Sequence, residues 1–184
     1  MEGSKMKKMP KLILALFITS VSATAAAENN DSVTVHFNGT VTQPTCGFNT
    51  SNQQVTLEPI KASDIEKVSI GRAADTSSKN FQLKMNCSSR AEAEHIAIML
   101  TADADAVSTN AITNAASKNG VGLELFTESG NVLALNKEIP QSSYLDRLNQ
   151  GDDNLNYVVK YTRLQNTVSG GEVAGDAVFV VSYK

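Results

Sequence analysis

Residues 32–46 read Ser32-Val-Thr-Val-His-Phe-Asn-Gly-Thr-Val-Thr-Gln-Pro-Thr-Cys46. Val33, Val35, Phe37, Gly39 and Val41 fall on one side of an extended chain, and Thr34, His36, Asn38, Thr40 and Thr42 on the other, which is the two-residue period of a β-strand. A strand with one apolar face therefore stands where most domains carry polar, loosely held residues. Such a strand has to be buried. Either it packs into this molecule's own sheet or it is offered to the open sheet edge of another molecule by strand addition. The surrounding sequence favours the second.

Residues 1–27 read as an export signal rather than as part of the fold. Lys5, Lys7, Lys8 and Lys11 lead, residues 12–21 form an apolar core too short to span a bilayer, and Ala25 and Ala27 offer a small-residue cleavage pattern. Cleavage after Ala27 leaves 157 residues, the size of one domain with its own core. Without the four lysines and the glutamate of the signal, the formal charge falls from −3 to −6. An acidic chain without basic patches argues against nucleic acid or an anionic membrane surface as partner.

Cys46 and Cys87 are the two cysteines, an even pair in an exported chain, so a disulfide is expected between them. Closing a loop of this length stabilises the fold by roughly 4 kcal/mol in the chain-entropy model. The histidines, His36 and His95, give no compact metal-ligand spacing with the cysteines.

Phe81-Gln-Leu-Lys-Met-Asn-Cys87 alternates strictly, with Phe81, Leu83, Met85 and Cys87 on one face. The disulfide then joins two strands through their inward faces. Residues 55–57 read as a short strand, residues 58–78 as irregular with one helical turn near 62–67, and residues 95–101 as a strand buried in mid-sheet. Residues 102–118, small and polar, read as a surface connection. Asn119-Gly120 supplies a turn into a strand over 121–126, and a further strand is expected over 132–135. Residues 139–153 read as polar loop, and 155–163 as a strand with Leu155, Tyr157, Val159 and Tyr161 on one face. After a glycine-rich run over 167–175, residues 177–184 alternate to the last residue, with Ala177, Phe179, Val181 and Tyr183 together. Short strands, frequent turns and almost no helix predict an all-β sandwich of antiparallel sheets.

No catalytic grouping emerges. Ser and Asp are plentiful, but neither His36 nor His95 sits in a pattern that selects a Ser-His-Asp arrangement. Asp103 and Asp105 lack the alternating oxygen ligands and closing Glu of a calcium loop. Gly120-Val-Gly122 lacks the third glycine of a dinucleotide loop, and strand rather than helix follows it. The chain is expected to be no enzyme and to need no cofactor or metal.

In this order, behind an export signal, the motifs resemble those of the pilin subunits assembled by the chaperone-usher pathway. The resemblance rests on the alternating extension running through Gly39-Thr-Val into Cys46, on Cys87 closing a second alternating strand, and on the Gly120-Val-Gly-Leu-Glu-Leu125 strand. It rests also on Tyr161 and Arg163 in the strand over 157–163 and on the ending at residues 171–184 with its penultimate Tyr183.

The resemblance implies an incomplete immunoglobulin-like β-sandwich, completed by a donor strand from a neighbouring subunit or a chaperone. It divides the chain into the signal (1–27), a donor-strand extension (28–43) carrying Val33, Val35, Phe37, Gly39 and Val41, and a pilin domain (44–184). It implies that Phe179, Val181 and Tyr183 flank the acceptor groove and that a chaperone holds the chain-end carboxylate of Lys184. The partners implied are a periplasmic pilus chaperone, an outer-membrane usher and other pilin subunits in a homo- or hetero-polymer. The subunit would be exported through the periplasm to the cell-surface fimbrium of a Gram-negative bacterium, supporting cell adhesion and so indirectly host-surface binding. The alternatives are a minor adaptor or tip subunit, or a glycan-binding adhesin; one domain that begins with a donor strand disfavours the adhesin.

Gly39 interrupts the apolar face, either as part of an Asn38-Gly39 turn or, by the resemblance, as the donor residue over a shallow part of the groove. The alternation continues through it to Val41, which favours the donor role. Gly39→Leu is expected to abolish polymer while leaving the chaperone-bound subunit folded. Quantifying surface fimbriae beside periplasmic chaperone complex checks this, and normal polymer from the variant would refute it.

Overall fold

A computed structural model of the chain describes residues 35–39, 46–88 and 90–184. The chain divides into two units, residues 1–40 and 41–184. In the first, residues 35–39 carry no regular secondary structure, and Val35 and Phe37 are exposed. The export signal and the donor positions Val33 and Val41 lie outside the described residues.

The described part of the second unit holds strands β1 (Cys46–Phe48), β2 (Lys79–Cys87), β3 (Ile96–Ala102), β4 (Ala111–Ile112), β5 (Val121–Thr127), β6 (Lys137–Glu138), β7 (Asn154–Arg163) and β8 (Ala177–Tyr183). Two short helices, α1 (Ala62–Ile65) and α2 (Leu145–Gln150), accompany them. The strands form two antiparallel sheets, one ordered β1-β2-β7-β5-β4 and the other β6-β3-β8. This is the all-β sandwich that the alternation predicts.

Register follows the apolar faces, because a slip of one residue would turn every inward side chain outward. Phe81 pairs with Tyr157 and Leu83 with Leu155 between β2 and β7. Leu123 pairs with Tyr161 and Leu125 with Val159 between β5 and β7. Across the sandwich, Ile98 pairs with Val181 and Leu100 with Phe179 between β3 and β8. These side chains, with Met85 and Leu133, make one continuous core. Cys46 lies directly opposite Cys87 in the β1–β2 ladder, and the two are joined by the expected disulfide.

Some expected elements differ. Residues 55–57 form no strand, although Val55 and Leu57 are half-buried against the core. Val132 makes only a single bridge to Phe126, while the regular pairing falls on β6, five residues later. The connection over 102–118 contains β4, with Ala111 and Ile112 buried. The loop over 139–153 contains α2 and buries Ile139, Tyr144 and Leu148. In each case a few apolar residues spaced among polar ones pack on a neighbour that local pattern does not reveal. The turn at Asn119-Gly120 forms as expected, and Gly120 occupies the left-handed region at φ +81°, where its hydrogen clears the Thr167 carbonyl.

β5, between β7 and β4, is buried on both faces, and Glu124 is buried with it. Burial raises the Glu124 carboxyl above its ordinary 4.5, offset in part by the Thr162 hydroxyl and the charges of Arg72 and Lys160. An acid whose folded pKa exceeds its unfolded one contributes stability in its protonated form, and that contribution is lost as pH rises through the raised value. Glu124→Gln is therefore expected to be more stable than the parent at pH 7, with the gap closing as pH falls toward 4.5. Denaturant midpoints measured across this range check the sign, and a variant less stable at pH 7 would contradict it.

Candidate functional site

The two sheets are unequal in width. At about 4.8 Å per strand spacing, five strands span roughly 19 Å and three roughly 10 Å, so the smaller sheet leaves part of the larger one's inner face without a roof. Ile139, Tyr144 and Leu148, from the segment that follows β6, join the core. On the other side β8 pairs only with β3 among the described residues.

A groove of about 470 Å³ opens there. Phe81, Leu83, Leu123, Leu125 and Val159 of the larger sheet line its floor, residues 175–179 one wall, and Phe48, Val55 and Leu57 the other. Asp176 is the one charged residue among those lining it. A second recess of about 380 Å³ meets the first at Leu57, which lines both, and is lined further by Ile60, Ile65, Val121, Tyr161, Val168 and Val173. Together they make a largely apolar trough, and its first part is bordered by β8, whose outer edge has no strand partner among the described residues. That is the shape and chemistry of a site for an extended peptide carrying apolar side chains at every second position.

Fixed points hold the trough open. At one end the Tyr183 hydroxyl accepts a hydrogen bond from the Cys46 backbone N–H, joining the end of β8 to the start of β1 in front of the disulfide. Phe179 is the aromatic hub of this end: its ring stacks on Tyr157 at 5.3 Å and meets Phe48 and Phe81 edge-on at 6.3 and 6.4 Å. At the other end the Arg163 guanidinium donates to the carbonyls of Glu66 and Val68 on one loop and of Gln165 and Asn166 on another. The Glu66 carboxylate returns the tie by accepting the Val168 N–H at 3.0 Å. Tyr161 and Arg163, singled out in the sequence, thus line and brace the second recess. Burial raises the Tyr161 phenol above its ordinary value, with the Glu58 charge adding to the shift.

Of the residues expected at the site, Phe179 and Val181 lie half-buried on the inward face of β8, as its alternation predicts. Tyr183 is 46% exposed, with its hydroxyl tied to Cys46. Lys184 extends past the strand, its N–H bonded to the His95 carbonyl and its ammonium paired with Glu138. Val35, Phe37 and Gly39 are exposed in the first unit. Sequence reasoning did not single out the wall and recess residues Leu57, Ile60, Ile65, Val168 and Val173; Ile65 sits in the one-turn α1 and the others in irregular segments too short for a periodicity to mark them.

The fimbrial protein family model matches residues 35–184. The fimbrial-like protein SfmA of Escherichia coli K12 is 26% identical over 180 residues, covering 94% of this chain and 95% of the relative. The type-1 fimbrial protein A chain of the same organism is 26% identical over 188 residues, covering 98% and 100%. Among solved structures, the P pilus rod subunit PapA superposes with a TM-score of 0.63 at 14% identity, covering 83% of this chain and all of the other. A chaperone-usher pilus subunit matches with a TM-score of 0.52 at 15% identity, covering 84% and 97%.

The Tyr157 hydroxyl is buried beneath this site without a hydrogen-bond partner among the described residues, and burial raises its pKa well above the ordinary 10.0. An unsatisfied buried hydroxyl costs about 1–3 kcal/mol. Tyr157→Phe keeps the ring stack on Phe179 and removes the orphaned group, so stability is expected to stay equal or rise by about 1 kcal/mol. Chemical denaturation checks this, and a clear loss would mean that the hydroxyl is bonded in solution.

Proposed function

Because the chain belongs to the fimbrial protein family, whose members are structural subunits of the bacterial surface pilus, we propose that it polymerises by donor-strand exchange. Residues 28–43 act as the donor strand, and the trough beside β8 in residues 44–184 acts as the acceptor for the corresponding strand of a neighbour. The observation that supports this reading is an edge strand, β8, paired on one side only among the described residues, beside an open apolar groove, in a chain whose own Val35 and Phe37 stand exposed.

The energetics support it. Burying Val33, Val35, Phe37 and Val41 contributes roughly 1.5–3 kcal/mol each, or about 6–12 kcal/mol before ordering costs. Main-chain bonds along β8 add to this. Residues 33–41 extend over roughly 30 Å at about 3.3 Å per residue, a length suited to a trough walled by residues 168–179. An open apolar edge also invites aggregation. The subunit therefore needs a periplasmic chaperone to cover the groove, with Phe179, Val181 and Tyr183 flanking the lent strand and the Lys184 carboxylate held by the chaperone. An outer-membrane usher then passes it to the growing fibre. Its work is mechanical rather than catalytic, and its part in adhesion is to carry the fibre that reaches the host surface.

The test is strand exchange. The chain is co-expressed with a periplasmic pilus chaperone, the complex purified, and a synthetic peptide of residues 28–43 added. Displacement of the chaperone and a heat-resistant peptide complex are the expected result. Exchange only with another subunit's extension would make this chain an adaptor. A stable monomer that folds alone with Val33 to Val41 buried in its own sheet would overturn the reading.

A further inference from the structure

We propose that Asn114 is a positioning residue for the acceptor trough, fixing the glycine-rich wall over 169–175 in place so that an incoming strand finds the second recess open. The inference rests on the acceptor reading above and adds to it a residue that touches neither floor nor strand.

The wall has no regular structure of its own. Residues 164–176 belong to no strand or helix, and Gly170, Gly171 and Gly175 leave the backbone little intrinsic stiffness. It is held instead by the loop before β5. The Asn114 side-chain oxygen accepts the N–H groups of Ala116 at 2.9 Å and Ser117 at 3.3 Å within its own turn, and the Ala174 N–H at 3.0 Å across the gap. Its amide nitrogen lies 2.9 Å from the Glu172 carbonyl, 3.0 Å from the Asn119 side-chain oxygen and 3.1 Å from the Ser117 hydroxyl. With donors facing one end of the amide and acceptors the other, its orientation is determined. Three further bonds run from loop to wall: the Ser117 hydroxyl donates to the Glu172 carbonyl, Ala115 N–H to the Ala174 carbonyl, and Ser169 N–H to the Asn119 carbonyl.

Close contact accompanies these bonds. A Cβ on Gly175 would meet the Ile112 side chain at 2.8 Å, and one on Gly171 would meet the Ser117 hydroxyl at 3.2 Å. The wall is therefore pressed against the 112–119 loop, and the Asn114 amide makes two of the five bonds described between them, one from each end. Val173 already packs against Ile65, Val121 and Val168 at the edge of the recess, so a glycine-rich segment released from Asn114 is free to shift further over it. An arriving strand would then have to reorder the wall before it could seat.

The chaperone-bound wild-type subunit and its Asn114→Ala variant are challenged with the residue 28–43 peptide and with versions carrying alanine at Val33, Val35, Phe37 or Val41. Asn114→Ala is expected to slow exchange roughly tenfold, the factor that corresponds to losing one good hydrogen-bonded junction. The slowing should be coupled to the peptide rather than uniform. Alanine at the position that fills the second recess should slow the wild type yet add little to Asn114→Ala, while alanines elsewhere add independently. Asn114→Asp, which keeps the accepting end of the amide, and Ser117→Ala, which removes one crossing bond, should fall between. Unchanged exchange in all three variants overturns the inference, as does a uniform slowing with every peptide that tracks a loss of thermal stability. Failure of the wild type to accept any peptide overturns the acceptor reading and this inference with it. Normal wild-type exchange with an unaffected Asn114→Ala overturns this inference alone.

Discussion

Everything about this domain depends on a mismatch in width: a five-stranded sheet is faced by a three-stranded one whose edge strand, β8, has a partner on only one side among the described residues. In an ordinary sandwich the inner faces cover each other and the hydrophobic effect is satisfied within the chain. Here the half-buried Leu83 and the buried Leu123 and Leu125 also line an open groove. An edge of β8 with no strand partner among the described residues and an apolar groove beside it are two needs that one extended peptide answers together, through its main chain and its alternate side chains.

Such an opening survives only if its frame is stiff. Collapse of the walls would bury the same apolar surface without any partner, so the fold spends its covalent and strongest polar bonds on the rim. The disulfide locks β1 to β2, Tyr183 binds the end of β8 to Cys46, and the four carbonyl contacts of Arg163 tie the loops beside the second recess. The network around Asn114 plays the same part for the glycine-rich wall. The rings of Phe48, Phe81, Tyr157 and Phe179 fill the end where these ties converge, giving β8 an anchor in the core while its other edge stays free.

Where periodicity was strong, the sequence was a reliable guide. β2, β7 and β8 lie where alternation places them, with the residues that share a face in the sequence turned inward, and β3 and β5 lie where a dense apolar run and the turn at Asn119-Gly120 place them. The cysteine pair was legible from chemistry alone, as two cysteines in a chain read as exported. Short or irregular pieces were not. β4 has two residues, α2 shows its apolar side chains only at Leu145 and Leu148, and Val55 and Leu57 pack against the core without entering a strand. Nothing local distinguishes Asn114 from the other polar residues of its connection, because its partners Glu172 and Ala174 are 58 and 60 positions away.

By itself the sequence determined the class of the fold, the disulfide, the inward faces of β2, β7 and β8 and an alternating apolar pattern over residues 33–41. These are consequences of a two-residue period and of residue chemistry, which neighbouring positions carry between them. Only the tertiary structure decided that the trough lies beside β8, that residues 48–57 form its opposite wall, and that a second recess under Val168 and Val173 extends it. A groove belongs to the space between segments distant in the chain, so its position is set by which strands pair and which edge is left over. No run of neighbouring residues records that.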